Sequence, residues 1–272
     1  MRTRVLPVAV SALVAGLLAS PASAQFGAVP VSPPPPGETY HVEVSGGLWN
    51  PTPAIIVSSE QLGIVGTQID FVDDLGMVKK RFGQFDVVLR AARKHKFRFG
   101  YTPLSWQGDS VLTRDLVFNA IRYRVSLPVQ SELKWTQYRF GYEWDFVSND
   151  RGFVGLLLDV KYTDLEAELS SQFVGTEFTS AKAPVPAIGG IGRFYATPNS
   201  SVTFELSALK VPRIDDKYEA TWVDWNLYGT YDVTPNFGAR VGYRVMNFNY
   251  LVELDTGDLD LKGLYFAGVL RF

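Results

Sequence analysis

The 272-residue chain has no cysteine and only two histidines. Without cysteine there is neither a disulfide framework nor a thiol that could carry a lipid anchor. With so few histidines, acid–base chemistry has little to draw on. Charge of one sign is also missing: 26 lysines and arginines face 28 aspartates and glutamates. Such a balance provides no basic footprint, which argues against nucleic acid as a partner. Beyond the first 24 residues no apolar run reaches the ~18 residues expected of a spanning helix. If this chain enters a membrane, it must do so as strands.

What is present begins with MRTRVLPVAVSALVAGLLASPASAQ. Two arginines, an apolar stretch from Val5 to Ala19 and the small-x-small triplet Ala22-Ser23-Ala24 predict a cleaved secretory signal over residues 1–24. Removing it, with Arg2 and Arg4, leaves a mildly acidic chain. Residues 25–37, ending in SPPPPG, are expected to form an extended proline-rich lead on the periplasmic side.

From residue 38 to 272 the dominant pattern has period two. In WTQYRFGYEWDF, Tyr138, Phe140, Tyr142, Trp144 and Phe146 share one face, while Gln137, Arg139, Glu143 and Asp145 share the other. Val154, Leu156, Leu158, Val160 and Tyr162 likewise oppose Asp159, Lys161 and Thr163. Near the start, Tyr40, Val42, Val44 and Leu48 oppose His41, Glu43 and Ser45; comparable splits follow at 83–91, 96–102, 188–194, 202–208, 223–232 and 239–245. With the terminal GLYFAGVLRF these segments predict ten strands, with eight or twelve as alternatives. Short turn-forming stretches at 92–95, 148–151, 197–200 and 234–236 interleave with long connections at about 50–81, 107–130, 171–184, 212–218 and 253–261. Inside the second of these, VLTRDLVFNAIRYRV also alternates, so a hairpin rising above the membrane is expected there.

A soluble sandwich alternates too, but here the apolar face is large and aromatic on nearly every strand, with aromatics near strand ends. This predicts a lipid-facing band around a polar interior. In hydrocarbon every backbone group needs an internal partner, so the sheet must close. The fold class expected is an all-β, closed antiparallel transmembrane barrel with short periplasmic turns and long outer loops.

The end GLYFAGVLRF, with Phe272, Leu270, Phe266 and Leu264 at alternate positions, resembles the terminal signature of bacterial outer-membrane β-barrel proteins. The mature chain is similar in pattern to the small OmpA-like and OmpW-like barrels, although those have eight strands. The resemblance implies an outer-membrane location and contact with outer-membrane lipids and lipopolysaccharide. It also implies that the terminal strand is read by the barrel-assembly machinery and pairs with the first near Tyr40 to Leu48.

Barrel enzymes of this class use a histidine, and the candidates are His41 at the start of the first strand and His95 in a short turn. Both fall at the periplasmic end, so no catalytic residue is assigned. Asp255, Asp258 and Asp260, or the pairs Asp73-Asp74 and Asp215-Asp216, offer oxygens to a hard cation. None has EF-hand spacing, and the first group is expected to be a solvated hairpin tip. No cofactor or metal is therefore expected.

The inward parity collects Arg90, Lys96, Arg98, Arg139, Lys161, Arg193, Arg240, Arg244 and Arg271 against Glu43, Asp86, Glu143, Asp145, Asp159, Glu205, Asp224 and Asp232. The signs nearly cancel, whereas a selective pore concentrates one sign at a constriction. The expectation is a lumen charge network in which Arg139 and Glu143 meet Asp159 and Lys161, and Asp224 meets Arg240 and Arg244. A network of that kind would leave the barrel largely plugged and non-enzymatic. A small porin for polar or hydrophobic solutes is the alternative.

Overall fold

The computed structural model describes residues 38–58, 66–118, 120–253 and 255–272. The expected signal segment and proline-rich lead lie outside the described residues. Among these described residues, thirteen strands follow in order. They are β1 (Val42–Ser58), β2 (Ile69–Asp70), β3 (Phe82–Ala92), β4 (His95–Val111), β5 (Leu116–Phe118), β6 (Ile121–Tyr123), β7 (Pro128–Asn149), β8 (Gly152–Ser171), β9 (Gly175–Thr197), β10 (Ser200–Ile214), β11 (Tyr218–Asp232), β12 (Phe237–Val252) and β13 (Asp255–Arg271).

Eleven of them make one antiparallel sheet, β13-β12-β11-β10-β9-β8-β7-β4-β3-β1-β2, and β13 also pairs with β1. Setting aside the two-residue β2, which adds to the upper end of β1, ten staves close into a barrel. At the seam of closure Val44 faces Leu270, Leu48 faces Phe266 and Asn50 faces Leu264. The Phe272 carbonyl accepts from the amides of His41 (2.7 Å) and Val42 (3.0 Å). At this seam, neither the first nor the last long strand is left as an open edge to recruit a foreign strand. No helix among the described residues is long and apolar enough to cross a membrane.

One rim carries the short turns after β3, β7, β9 and β11 together with Glu38 and Phe272. Above it, the outward positions form a greasy belt that includes Phe140, Leu158, Phe204, Leu227, Val241 and Phe266. The four terminal positions Leu264, Phe266, Leu270 and Phe272 all point outward. Register stacks aromatics across strands: Phe99 meets Phe140 edge to face at 5.7 Å, and Tyr138 lies between Tyr101 (5.1 Å) and Tyr162 (6.5 Å). Cross-strand contacts of this sort stabilise a sheet beyond the area they bury.

The staves are taller than the sequence reading made them. β7, β8 and β9 have 22, 20 and 23 residues, about twice the 9–11 a tilted strand needs to cross the hydrocarbon. The ranges 171–184, 212–218 and 253–261, expected as long loops, are mostly strand: β8–β9 and β10–β11 are joined by Gln172–Val174 and Asp215–Lys217, and β13 already begins at Asp255. Strand also occupies the first residues of 50–81 and 107–130. The physical reason is that alternation continues upward while its chemistry inverts. On β8, Leu165, Ala167 and Leu169 face in and Glu166 and Glu168 face out.

Two further placements differ from expectation. Tyr40, expected on the lipid face, precedes β1 and tucks under the barrel, 4% exposed, with the guanidiniums of Arg90 and Arg271 within 6 Å of its ring. His41 is correspondingly exposed. The hairpin expected within 107–130 exists as β5–β6. It folds over the mouth instead of rising from it, with Leu116, Phe118 and Tyr123 fully buried.

Candidate functional site: the ion-paired lumen and its apolar cap

In the lower barrel, alternation aims every second side chain at the axis, and β4, β7, β8, β10, β11 and β12 all supply charge there. Nearest the short turns, Lys96 Nζ donates to Glu143 Oε1 at 2.8 Å, lies 2.9 Å from Asp145 Oδ2, and sits 3.7 Å above the Phe153 ring. Glu38 closes this end, accepting from Arg193 (3.0 Å) and the Tyr195 hydroxyl (2.8 Å).

One layer up, Arg98 of β4 donates to Glu143 and, across the bore, to Glu205 of β10, each at 2.5 Å. Glu205 also accepts from Arg139 (3.2 Å) and from the Tyr228 hydroxyl (2.7 Å). Arg139 lies 2.9 Å from Asp159. The third layer joins Lys161 to Asp224 at 2.7 Å, and Arg244 to Asp224 at 2.8 Å and to Gln137 at 3.0 Å. To one side, Glu43 accepts from Arg240 (2.8 Å) and Arg271 (2.7 Å), and Arg271 also reaches Asp232. Charges so buried need their partners, because breaking one pair strands another charge away from water.

The geometry places the sequence-predicted residues as follows. Arg139 lies with Asp159, and Arg244 with Asp224. Glu143 is held by Lys96 and Arg98, while Lys161 directly opposes Arg139 in the β7–β8 register and turns to Asp224. Arg240 stands opposite Thr230, six residues along β11 from Asp224, so it pairs with Glu43 instead. Adjacency of strands alone cannot give register, and register decides partners. Glu38 was missed because it precedes the first alternating segment.

Among the side chains stands a cavity of about 50 Å³, lined by Asp86, Arg98, Arg139, Glu205, Asp224 and Arg244 among others. That is room for a few waters. Gly141 keeps the packing possible: a Cβ there would run into an Asp159 carboxylate oxygen.

Above this ionic section the interior turns apolar. Trp49, Leu104, Trp106, Leu133, Trp135, Trp222 and Leu261 fill the bore, with Trp135 and Trp222 edge to face at 5.9 Å. Residues 69–77 and the β5–β6 hairpin cover them from above through Phe71, Leu75, Met77, Leu116 and Phe118. Arg114 ties the two parts of this cap, donating to Asp74 (2.5 and 3.0 Å) and to the Gln68 carbonyl (2.6 Å). Its hydrogen bond holds the Asp74 carboxyl below its ordinary value. Burial pushes the Tyr123 hydroxyl up to about 12.

The remaining candidates are dispersed. His95, expected in the short turn, is the first residue of β4, with Nδ1 2.6 Å from the Tyr142 hydroxyl of β7, and His41 is exposed at the same rim. Asp74 is engaged by Arg114, and Asp215 and Asp216 shape a tight turn with positive φ. Asp258 and Asp260 belong to strand β13 instead of a hairpin tip, and Asp260 accepts from Asn247. No group of three or more potential metal ligands occurs among the described residues.

No family model and no curated protein matches the chain. Among solved structures it is similar to the outer membrane protease OmpT from Escherichia coli, with a TM-score of 0.56 and 11% identity over 85% of this chain and 96% of that one. It also matches Ail of Yersinia pestis, solved with the heparin analogue sucrose octasulfate (TM-score 0.39, 13% identity, 85% and 99% covered), and the Pseudomonas putida toluene transporter TodX (0.36, 9%, 85% and 90%). Of these three, the OmpT match is the one that speaks for the fold. With the closed sheet and the outward apolar belt, it shows that this chain has the closed antiparallel β-barrel fold.

Proposed function

We propose that the protein is a non-enzymatic barrel of the bacterial outer membrane, closed to solute flow and acting as a structural or surface-interaction element. The observation that carries this reading is the lumen itself. Side chains from β4, β7, β8, β10, β11 and β12 meet across the axis, leave about 50 Å³ between them, and lie beneath an apolar fill. Both histidines lie at the periplasmic rim, away from the mouth, which favours a role without catalysis. The outward belt meets outer-membrane lipids and lipopolysaccharide, and Leu264, Phe266, Leu270 and Phe272 form the strip that the assembly machinery reads. A surface role is supported at the outer end, where Phe173, at the tip of the β8–β9 turn, and Phe178 are 76% and 69% exposed. Large apolar groups left in water mark contact sites when they cluster.

Planar-bilayer recording of the purified protein tests the reading. It should show no steady current. Large, stable single-channel steps would overturn the plug and favour the small porin.

A further inference from the structure

The outer half of the wall is not continuous. β9 and β10 are laddered from Thr197 opposite Ser200, through one register shift between Ser200 and Ser201, up to Ile188 opposite Ala208. Beyond that point β9 continues to Gly175, laddered only to β8, and β10 continues to Ile214, laddered only to β11. The two strands part, and the sequence gives a cause. Pro184 and Pro186 have no N–H, and both still oppose β8 residues, Tyr162 and Val160. The donors they lack are those that would have faced β10.

Behind this opening lies a cavity of about 460 Å³, within the ~300–1,000 Å³ range of small-molecule sites. Leu165, Val185, Leu209, Ala220, Phe248 and Tyr250 belong to its apolar wall. Phe248 packs on Trp222 (5.0 Å) and Trp135 (6.3 Å), the indoles that cap the ionic section. Among the described residues, its charged lining consists of Glu219 and Asp255, with no lysine, arginine or histidine. The foot of the opening is the last laddered pair, Ile188 and Ala208, and Ile188 belongs to the lipid-facing belt.

We infer that this cavity binds an uncharged, largely hydrocarbon molecule, such as a long-chain alcohol, that enters sideways from the outer leaflet between β9 and β10. An anionic head is disfavoured by the two carboxylates of the lining. The site is a dead end: what enters leaves by the same gap. That last point rests on the lumen being plugged, whereas binding and side entry do not.

The test uses the full chain in phosphatidylcholine vesicles, carrying Trp144→Phe and Trp225→Phe to silence lipid-facing indoles. The probes are dodecanol and dodecanoate, each with a terminal bromine, which quenches nearby tryptophan. The alcohol should quench in a saturable way through Trp222 and Trp135, with dodecanoate about tenfold weaker, a difference of ~1.4 kcal/mol. Ala220→Phe should abolish the saturable part. Replacing Pro184 and Pro186 with threonine restores two donors, and should slow the approach to saturation while leaving its depth unchanged. Quenching that only rises linearly with probe, or that survives Ala220→Phe in a folded barrel, would overturn the site. Unchanged kinetics in the proline variant would overturn side entry, and equal quenching by dodecanoate would overturn selection by charge. Steady channel currents with saturable quenching intact would sink the plug alone.

Discussion

β8 contains both halves of the molecule in one strand. Below, Val154, Leu158 and Val160 face out while Asp159 and Lys161 face in; above, Glu166 and Glu168 face out while Leu165 and Leu169 face in. Pleat, pairing and parity are the same throughout, so the backbone does not distinguish the two. The difference lies in what surrounds the wall. Where lipid is outside, apolar side chains lose nothing by facing it, and the charges turn inward to find one another. Where water is outside, the hydrophobic effect applies in its usual direction and fills the bore. The lower half is thus held by directional ion pairs with a small wet remainder, and the upper half by dry packing of the kind found in soluble proteins.

The comparison can be broken by truncation, and the largest effects fall here. Trp135→Ala, removing a fully buried ring above, should lower stability by about 3–5 kcal/mol. Glu205→Ala below should cost about as much, ~3–5 kcal/mol, because Arg98 and Arg139 lose their shared carboxylate. Urea unfolding in vesicles measures both. The two differ in their rescue. Adding Arg98→Met, which leaves Glu143 its bond to Lys96, should restore part of the loss at Glu205, whereas no change of charge should repair Trp135→Ala.

A sharper version uses one face of one strand. Leu158→Arg should cost about 2–4 kcal/mol, as for a cation placed at mid-bilayer. Glu166→Arg, eight positions up on the same face, should stay within about 0.5 kcal/mol. Equal penalties would mean that the polarity boundary has been misplaced.

The smallest effect concerns the cap. Asp74 has a depressed carboxyl, so its bond to the half-exposed Arg114 contributes above the ordinary carboxylate value of about 3.9. That contribution is lost as pH falls through the depressed value. Since Arg114 is partly in water, it amounts to no more than ~1 kcal/mol. Amide exchange in residues 67–77 and 112–118 should quicken in acid relative to β7, and Arg114→Gln should remove the dependence.

This division also explains what could be read from the residues alone. Aromatic alternation such as Tyr138, Phe140, Tyr142 and Trp144 identified the lower staves, their inward charges and a count of ten, because lipid leaves a conspicuous outward pattern. It said little about the upper staves. There the outward residues are Lys134, Glu166 and Lys182, indistinguishable from loop composition, and the inward ones would suit any soluble core. Partner choice in the lumen depended on register: Lys161 opposes Arg139, and only coordinates reveal its reach to Asp224. The gap beside Pro184 and Pro186 was legible in principle, since two prolines spaced by two in a strand remove successive donors on one side.

Stave height has a further consequence. Twenty-two residues extend about 75 Å along the strand, and at a tilt near 40° they climb roughly 55 Å, against a hydrocarbon band of about 25 Å. In the proposed outer-membrane setting, antibodies or phage arriving from the medium meet a stiff turret whose masonry is hydrogen-bonded sheet. Epitopes on such a surface are assembled from neighbouring strands, so sera raised against boiled protein should fail to stain intact cells.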